Sequence, residues 1–190
     1  MSSDNPSGAD NQQERPSSSD WLDRIPLDVG HYVAGFVEGE GSFNVPIIRE
    51  QDRCLPWRVT LSFNVSQRGA EMPLFLKETF GVGRTRDRGD GVFYFEVTKP
   101  EQLHGTVFPF FRRFPLRGPK ANDLAVFEEI TQLVRSGRHK TCEGIEEILN
   151  LRSPMNRGGK RRRSDEEIIA MLRNGNPQRP YAELPFEAKG

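Results

Sequence analysis

The chain has 190 residues, 35% hydrophobic and 28% charged, with a formal net charge of zero. That is enough apolar material for one ordinary domain with a core, and no run of about 18 or more apolar residues exists to span a membrane. The neutral total does not exclude a polyanionic partner, because the charge is unevenly placed: residues 1–24 hold five acids against two arginines, residues 44–88 eight bases against five acids, and residues 157–163 five bases and no acid. A basic working face is compatible with that distribution.

Residues 1–22 are rich in Ser, Asp, Asn, Gln and Pro and predict a disordered polar tail. They lack the apolar segment of a secretory signal, so a cytoplasmic (bacterial) or organellar location is expected rather than a secreted one. An ordered domain is expected over 23–173, with its core at about 26–135, a C-terminal helical extension over 136–173 and a flexible tail over 174–190. The first helix should open at Pro26 and carry Val29, Tyr32, Val33, Phe36 and Val37 as an apolar stripe until Gly39 and Gly41 end it. The segment SFNVPIIRE follows, then WRVTLSFNVSQ, in which Val59, Leu61, Phe63 and Val65 alternate with polar residues, the period of a strand with one buried face.

PLFLKETF reads as a short helix. GVGRTRDRGDGVFYFEVTK reads as two strands joined by a turn at Arg88–Gly91, with Phe93, Phe95 and Val97 on one face and Tyr94 and Glu96 on the other. Helices follow: one from Pro100, one with Leu124, Phe127, Ile130 and Val134 on one face, one capped by Thr141, and one opening with Ser164 and Glu167 in capping-box spacing. The order α-β-β-α-β-β-α with extra C-terminal helices predicts an α+β domain built on a mostly antiparallel sheet. Cys54 and Cys142 stand far apart without metal-ligand spacing, so two free thiols are expected.

The stretch Val33–Gly41, VAGFVEGEG, carries the chemistry. Ala34 and Gly35 leave the helix surface almost bare, which permits a second helix to approach closely. Glu38 and Glu40 sit at the helix C-terminus, where the dipole disfavours an anion. Mg²⁺ with phosphate oxygens would answer that charge. A solvated helix end with a glycine cap is the plain alternative, and the helix alone weighs the two equally.

This stretch, followed by Ser42-Phe43, resembles the LAGLIDADG motif. The resemblance to single-motif, intron-encoded homing endonucleases of that family runs from about Tyr32 to Val134, through FNVSQ at Phe63–Gln67, FGVGRTRDRG at Phe80–Gly89 and PLRGPKAND at Pro115–Asp123. It implies the LAGLIDADG homing-endonuclease fold with a saddle-shaped antiparallel sheet. It also implies Mg²⁺-dependent hydrolysis, with Mn²⁺ as a substitute, of both strands of a long pseudo-palindromic DNA site, as in intron or intein homing. Glu40 matches the metal-binding acid and Gly39 the residue whose carbonyl completes the metal shell. Gln67 falls where a polar side chain orders the attacking water. Arg117 falls where relatives carry a supporting lysine, and Lys120 competes for that role. Arg68 lies where the family has a second basic residue. The metal would bind the scissile phosphate, activate a water and stabilise the leaving 3′-oxygen.

On the same resemblance, outward residues of the first hairpin (Asn44, Pro46, Ile48, Arg53, Arg58, Thr60, Ser62, Asn64) and of the second (Arg84, Arg86, Arg88, Tyr94, Glu96) are expected in the major groove. Contact with phosphates alone is the plainer alternative for many of them. Lys160 and Arg161, in the run RGGKRRR, are expected to clamp phosphates, with nuclear targeting as the other reading. One motif in the chain implies a C₂ homodimer through Val33, Ala34, Gly35 and Val37. The expected partners are double-stranded DNA and a second copy, with no membrane and no small-molecule substrate. A non-cleaving DNA-binding regulator and an RNA maturase are the competing functions; the presence of both Glu40 and Gln67 favours the enzyme.

Overall fold

The structure, a computed structural model, describes residues 20–50, 55–156 and 163–174. Arg53, Cys54, Lys160, Arg161 and the residues expected to form most of the two tails lie outside the described residues. The chain opens with a short helix α1 (Asp20–Asp23) and the motif helix α2 (Leu27–Glu40). Two interrupted strands follow, β1 (Gly41–Asn44) continued by β2 (Ile47–Arg49), and β3 (Trp57–Val59) continued by β4 (Ser62–Arg68). Helix α3 (Glu71–Phe80) leads to the hairpin β5 (Arg84–Asp87) and β6 (Val92–Val97). The rest is helical: α4 (Pro100–Gln102), a wide turn over Leu103–Val107, α5 (Phe108–Arg113), α6 (Lys120–Arg135), α7 (Cys142–Arg152) and α8 (Asp165–Asn174).

The four-stranded sheet has the order β1-β4-β6-β5, antiparallel throughout. β2 and β3 pair separately, yet the two arms are one hairpin. Asn44 faces Ser62 and Ile47 faces Val59, so the register does not slip across the break. The break is chemical: Pro46 has no N–H to give, and only the Thr60 N–H to Pro46 carbonyl half of that rung survives, at 2.9 Å. Because the side-chain period is two, Phe43, Phe63, Val65, Phe95 and Val97 all turn to one side and are buried there, with Phe43–Phe63 and Phe80–Phe95 stacked and Phe110 and Phe111 from α5 packed among them. A second, smaller core lies behind β3, where Trp57 meets Ile145, Leu149, Ile168 and Leu172 of α7 and α8. The C-terminal helices therefore extend the floor beneath the hairpin arm.

Three readings change in detail. The polar tail stops short of residue 22, because Trp21 and Leu22 in α1 pack against the core. The helix from Pro100 is interrupted: Pro109 cannot donate to the carbonyl four residues back, and the turn before it widens, with Phe108 N–H bonding to the Leu103 carbonyl. In α2 the buried face is Gly30, Val33, Ala34 and Val37, while Tyr32 remains 55% exposed. Tyr32 and Phe36 lie off that face and pair with each other, and Tyr32 also meets Phe75 of α3. The two caps follow expectation. Thr141 accepts from the Gly144 N–H, and Ser164 and Glu167 exchange side-chain-to-backbone bonds in a full capping box.

Gly30 is where α2 and the chain after α5 touch. A Cβ there would stand 2.3 Å from the Phe114 ring, which is itself fully buried. Gly30→Ala should therefore cost about 1–3 kcal/mol through overpacking, despite alanine's better helix propensity. A lowered urea midpoint checks this.

Candidate active site

Helix α2 ends at Glu40, and β1 begins one residue later at Gly41, which pairs with Val65 of β4. The helix terminus thus stands beside the Ser66–Arg68 end of β4. Glu40 is exposed and has no hydrogen bond or ion pair among the described residues, and the last turn of α2 carries no basic residue. Glu38, two residues earlier, is spent differently. Its carboxylate accepts the backbone N–H groups of Arg117 (3.2 Å), Gly118 (3.1 Å) and Lys120 (3.2 Å). These donors approach and open α6, so Glu38 caps the positive end of that helix from another part of the chain.

The ammonium of Lys120 completes a reciprocal clamp by donating to the carbonyls of Glu38 (2.7 Å) and Gly39 (2.9 Å). Of the two basic residues that competed for the catalytic neighbourhood, the structure brings Lys120 to the end of α2. Arg117 gives its backbone N–H to Glu38, and its exposed side chain has no partner among the described residues. The Gly39 carbonyl, expected as a metal ligand, is held by the Lys120 ammonium, which must give way if a divalent cation takes that oxygen. Gln67 is half-buried at the end of β4, paired in register with Phe93. Glu38→Ala is expected to lower stability by about 1.5–3 kcal/mol, the scale of hydrogen bonds to a charged acceptor. Faster amide exchange at Arg117, Gly118 and Lys120 would locate the loss.

A metal fits this end of α2 in one way only. Among the described residues no group of three or more His, Cys, Asp or Glu side chains converges. The free Glu40 carboxylate suits Mg²⁺, which typically takes one or two carboxylates and fills its shell with substrate oxygens and water.

The open face of the sheet carries the remaining candidates. Register places Ser42 beside Asn64, Asn44 beside Ser62, Ile48 beside Arg58, Asn64 beside Glu96, and Arg84 beside Glu96 on the one side, with Pro46 and Thr60 between them. Arg68 and Tyr94 share it through β4 and β6. Four of its arginines are engaged: Arg84 with Glu96, Arg88 with Asp90 and the Tyr94 hydroxyl, and Arg58 with Glu50, while Arg86 lies over the Tyr94 ring at 4.9 Å. The Asp90 carboxylate beside Arg88 is held below the usual carboxylate range by that bond, and Arg88 stays firmly cationic. Exposed pairs of this kind contribute little, so each guanidinium is exchangeable onto a stronger anion. A groove of about 880 Å³ runs along the first hairpin, with Asn44, Ser62, Asn64 and Glu96 on one wall and Asn156 and Arg163 on the other.

Ser42, Ser66 and Asn156 were not singled out from sequence, and Glu38 and Arg163, noted there with Glu40 and with the RGGKRRR run, were given no such surroundings. Strand periodicity alone places Ser42 and Ser66 on the open face; the others depend on partners or walls far away in the chain. Asn156, in the left-handed region at φ 51°, donates its side-chain amide to the Phe43 carbonyl at 2.7 Å and to Asn44 Oδ1 at 3.3 Å. Arg152 donates to the Val45 carbonyl. Phe43 lies in the edge strand β1 and Val45 one residue past it, so the C-terminal segment covers part of an edge that would otherwise invite strand pairing. His31 packs edge-on to Phe114, consistent with a packing role.

The interface expectation needs correction. Val33 and Val37 are fully buried in the chain's own core and Ala34 is 5% exposed, so none of them is available to a second copy. Gly35 and Gly39 do face open space, with nothing within 4 Å of an added Cβ.

Comparison with known proteins decides the family. The sequence profile described as LAGLIDADG endonuclease matches residues 33–131. The chain belongs to the LAGLIDADG endonuclease family. It is 30% identical over 129 residues, 66% of this chain, to the probable intron-encoded endonuclease 3 of Neurospora crassa, and it spans about a quarter of the length of the curated Neurospora relatives it matches. The crystal structure of the homing endonuclease I-TnaI is similar at 28% identity and a TM-score of 0.65, over 77% of this chain and 96% of that one. The meganuclease I-SmaMI, seen bound to uncleaveable DNA, is similar at 28% identity and a TM-score of 0.65, over 78% of this chain and 49% of that one. The LAGLIDADG motif is α2, and its two acids divide the work observed here, Glu38 holding α6 and Glu40 standing free.

Proposed function

We propose that this chain is a site-specific DNA endonuclease that acts as a pair of identical copies and hydrolyses one phosphodiester on each strand of a long pseudo-palindromic duplex. The observation that carries the reading is Glu40: an exposed carboxylate with no partner among the described residues, at the negative end of a helix, where the chain enters the edge strand of the sheet. A free acid there gains little within the chain and is suited to receive a cation together with a phosphate. Mg²⁺ held by Glu40 would neutralise phosphate charge and lower the pKa of a bound water.

The chain's own groups supply the rest. The open face grips the duplex through its arginines, which trade exposed carboxylate partners for phosphates or guanine edges. Gln67, near the end of β4 and on the same side as Phe63 and Val65, is assigned the ordering of the attacking water on the family resemblance alone. Lys120, already at the end of α2, moves its ammonium from carbonyl oxygens toward the charge that builds up as the bond to the 3′-oxygen breaks. The test is incubation of the full chain with a randomised duplex library and Mg²⁺. Recovery of paired cuts on both strands supports the proposal; enrichment of bound but uncut duplexes instead identifies a non-cleaving regulator.

One chain offers one Glu40, so cutting two strands requires two copies. The bare surface at Gly35 and Gly39, flanked by exposed Tyr32 and Leu27, is the face suited to a second α2. Gly35→Glu meets open space and should leave the chain folded, while burying an unpaired charge in any pairing through that face. We expect a monomer by sedimentation and loss of double-strand cleavage; a variant that still dimerises and cuts would place the interface elsewhere.

A further inference from the structure

We infer that Glu96 is a positioning residue for Arg84: it holds the side edge of the guanidinium and leaves the two terminal nitrogens free as a fork, which selects a guanine at one position of the target. The inference rests on the DNA-cutting reading above and assigns one of its contacts. Phe95 and Val97 are buried, so Glu96 between them turns to the open face. Arg84 stands directly opposite Glu96 in the register of β5 and β6, and residues so paired share a face. Across that pair Glu96 Oε2 accepts from Arg84 Nε at 3.0 Å and from Nη2 at 2.7 Å.

A guanidinium carries five N–H groups. The Nε hydrogen and the Nη2 hydrogen beside it go to Glu96. Both hydrogens of Nη1 and the outer one of Nη2 remain, and they make no bond among the described residues. They form the tip of a side chain that is 67% exposed. The carboxylate on the other edge is itself anchored, with its side chain only 24% exposed. Its Oε1 accepts the hydroxyl proton of Ser62 at 3.1 Å, and Ser62 is 7% exposed.

Arg88, by contrast, gives Nε and Nη2 to Asp90 and Nη1 to the Tyr94 hydroxyl, so its tip is occupied as well as its side. Arg88 must release a partner to read a base; Arg84 need not. In the major groove guanine shows two neighbouring acceptors, N7 and O6, which match the free fork. Adenine sets an amine donor beside its N7, against a second donor of the fork, and the pyrimidines offer no such pair of acceptors. A fork already held by Glu96 also loses less freedom on binding.

The test uses the full chain and duplexes selected by it from a randomised library in the presence of EDTA, so that binding is read without cutting. Arg84→Ala should relax one position, and the selected base there should be guanine. Replacing that guanine with 7-deazaguanine, which carries C–H in place of N7, should weaken binding by the unaltered chain on the order of tenfold and leave Arg84→Ala unmoved. Glu96→Ala should narrow the guanine preference at the same position several-fold. Its affinity for unselected duplex should hold or rise, because a negative charge leaves the face; mere structural damage would lower both. Three results would each overturn the inference: no guanine preference where Arg84→Ala acts, equal binding of the 7-deazaguanine duplex, or an undiminished preference in Glu96→Ala. Equal binding would mark Arg84 as a phosphate contact or Glu96 as a reader of the cytosine amine. The 7-deazaguanine scan covers every guanine of the selected site with the unaltered chain, so it decides even if Glu96→Ala fails to fold. Failure to enrich any sequence would remove the DNA-binding reading itself, an outcome distinct from these.

Discussion

Replacing Glu40 with glutamine is expected to abolish strand cleavage while leaving DNA binding and folding intact. Glutamine keeps the shape and loses the charge, and the site offers no second carboxylate to compensate, because Glu38 is held by three backbone N–H groups. If the cation contributes several kcal/mol to stabilising the developing charge, its loss lowers the rate by roughly three orders of magnitude or more. The fold should be indifferent, since Glu40 makes no side-chain bond among the described residues. Binding should hold or tighten slightly, as one negative charge leaves a surface that faces phosphates. A gel-shift and a cleavage time course on one duplex give both answers. Cleavage within tenfold of the parent would remove Glu40 from the chemistry and return attention to the Lys120 end of the loop.

The second large effect concerns stability. Arg152 and Asp165 form an ion pair at 2.5 Å with side chains 8% and 5% exposed, and Arg152 also donates to the Val45 carbonyl. Replacing Arg152 removes its bonds to Asp165 and to the Val45 carbonyl together, both in a buried place. Arg152→Met should cost about 3–5 kcal/mol, a large share of the 5–15 kcal/mol typical of a domain. The damage should begin at α8, whose apolar residues Ile168 and Leu172 rest on the small core behind β3. The double replacement Arg152→Met with Asp165→Leu should recover part of the loss, because the two buried charges then leave together. Urea unfolding of the three proteins checks both statements; an Arg152→Met midpoint near the parent's would show that the pair is not sealed from water.

The residues also show what a linear sequence discloses and what it hides. The two faces of the hairpins were legible because strand periodicity is local: Phe63 and Val65 inward and Asn64 outward follow from neighbours alone. The caps at Thr141 and Ser164 were legible for the same reason. The split of α2 was not. Its apolar residues occupy more than one side of the helix, so Val33 and Val37 could not be told from interface residues until the sheet beneath them was in place. Glu38 was equally opaque, its partners being some 80 positions away. Arg152 and Asn156 read as ordinary polar residues near a helix end, and only their distance of more than 100 positions from Val45 and Phe43 is closed by the fold. Lys120 was visible as a candidate, but its advantage over Arg117 lies in one turn of helix geometry that spacing does not encode.

The unslipped pairing across Pro46 limits how this protein can change its target. Substituting letters on the outward positions alters the contacts and leaves the scaffold alone. Deleting or inserting one residue on a single arm would instead swing Ile48 and its outward companions inward, toward the seat of Trp57, and bring apolar side chains out to meet the duplex. Drift toward new sites is thereby channelled into point changes, or into compensated changes on both arms that keep the odd and even positions on their own sides.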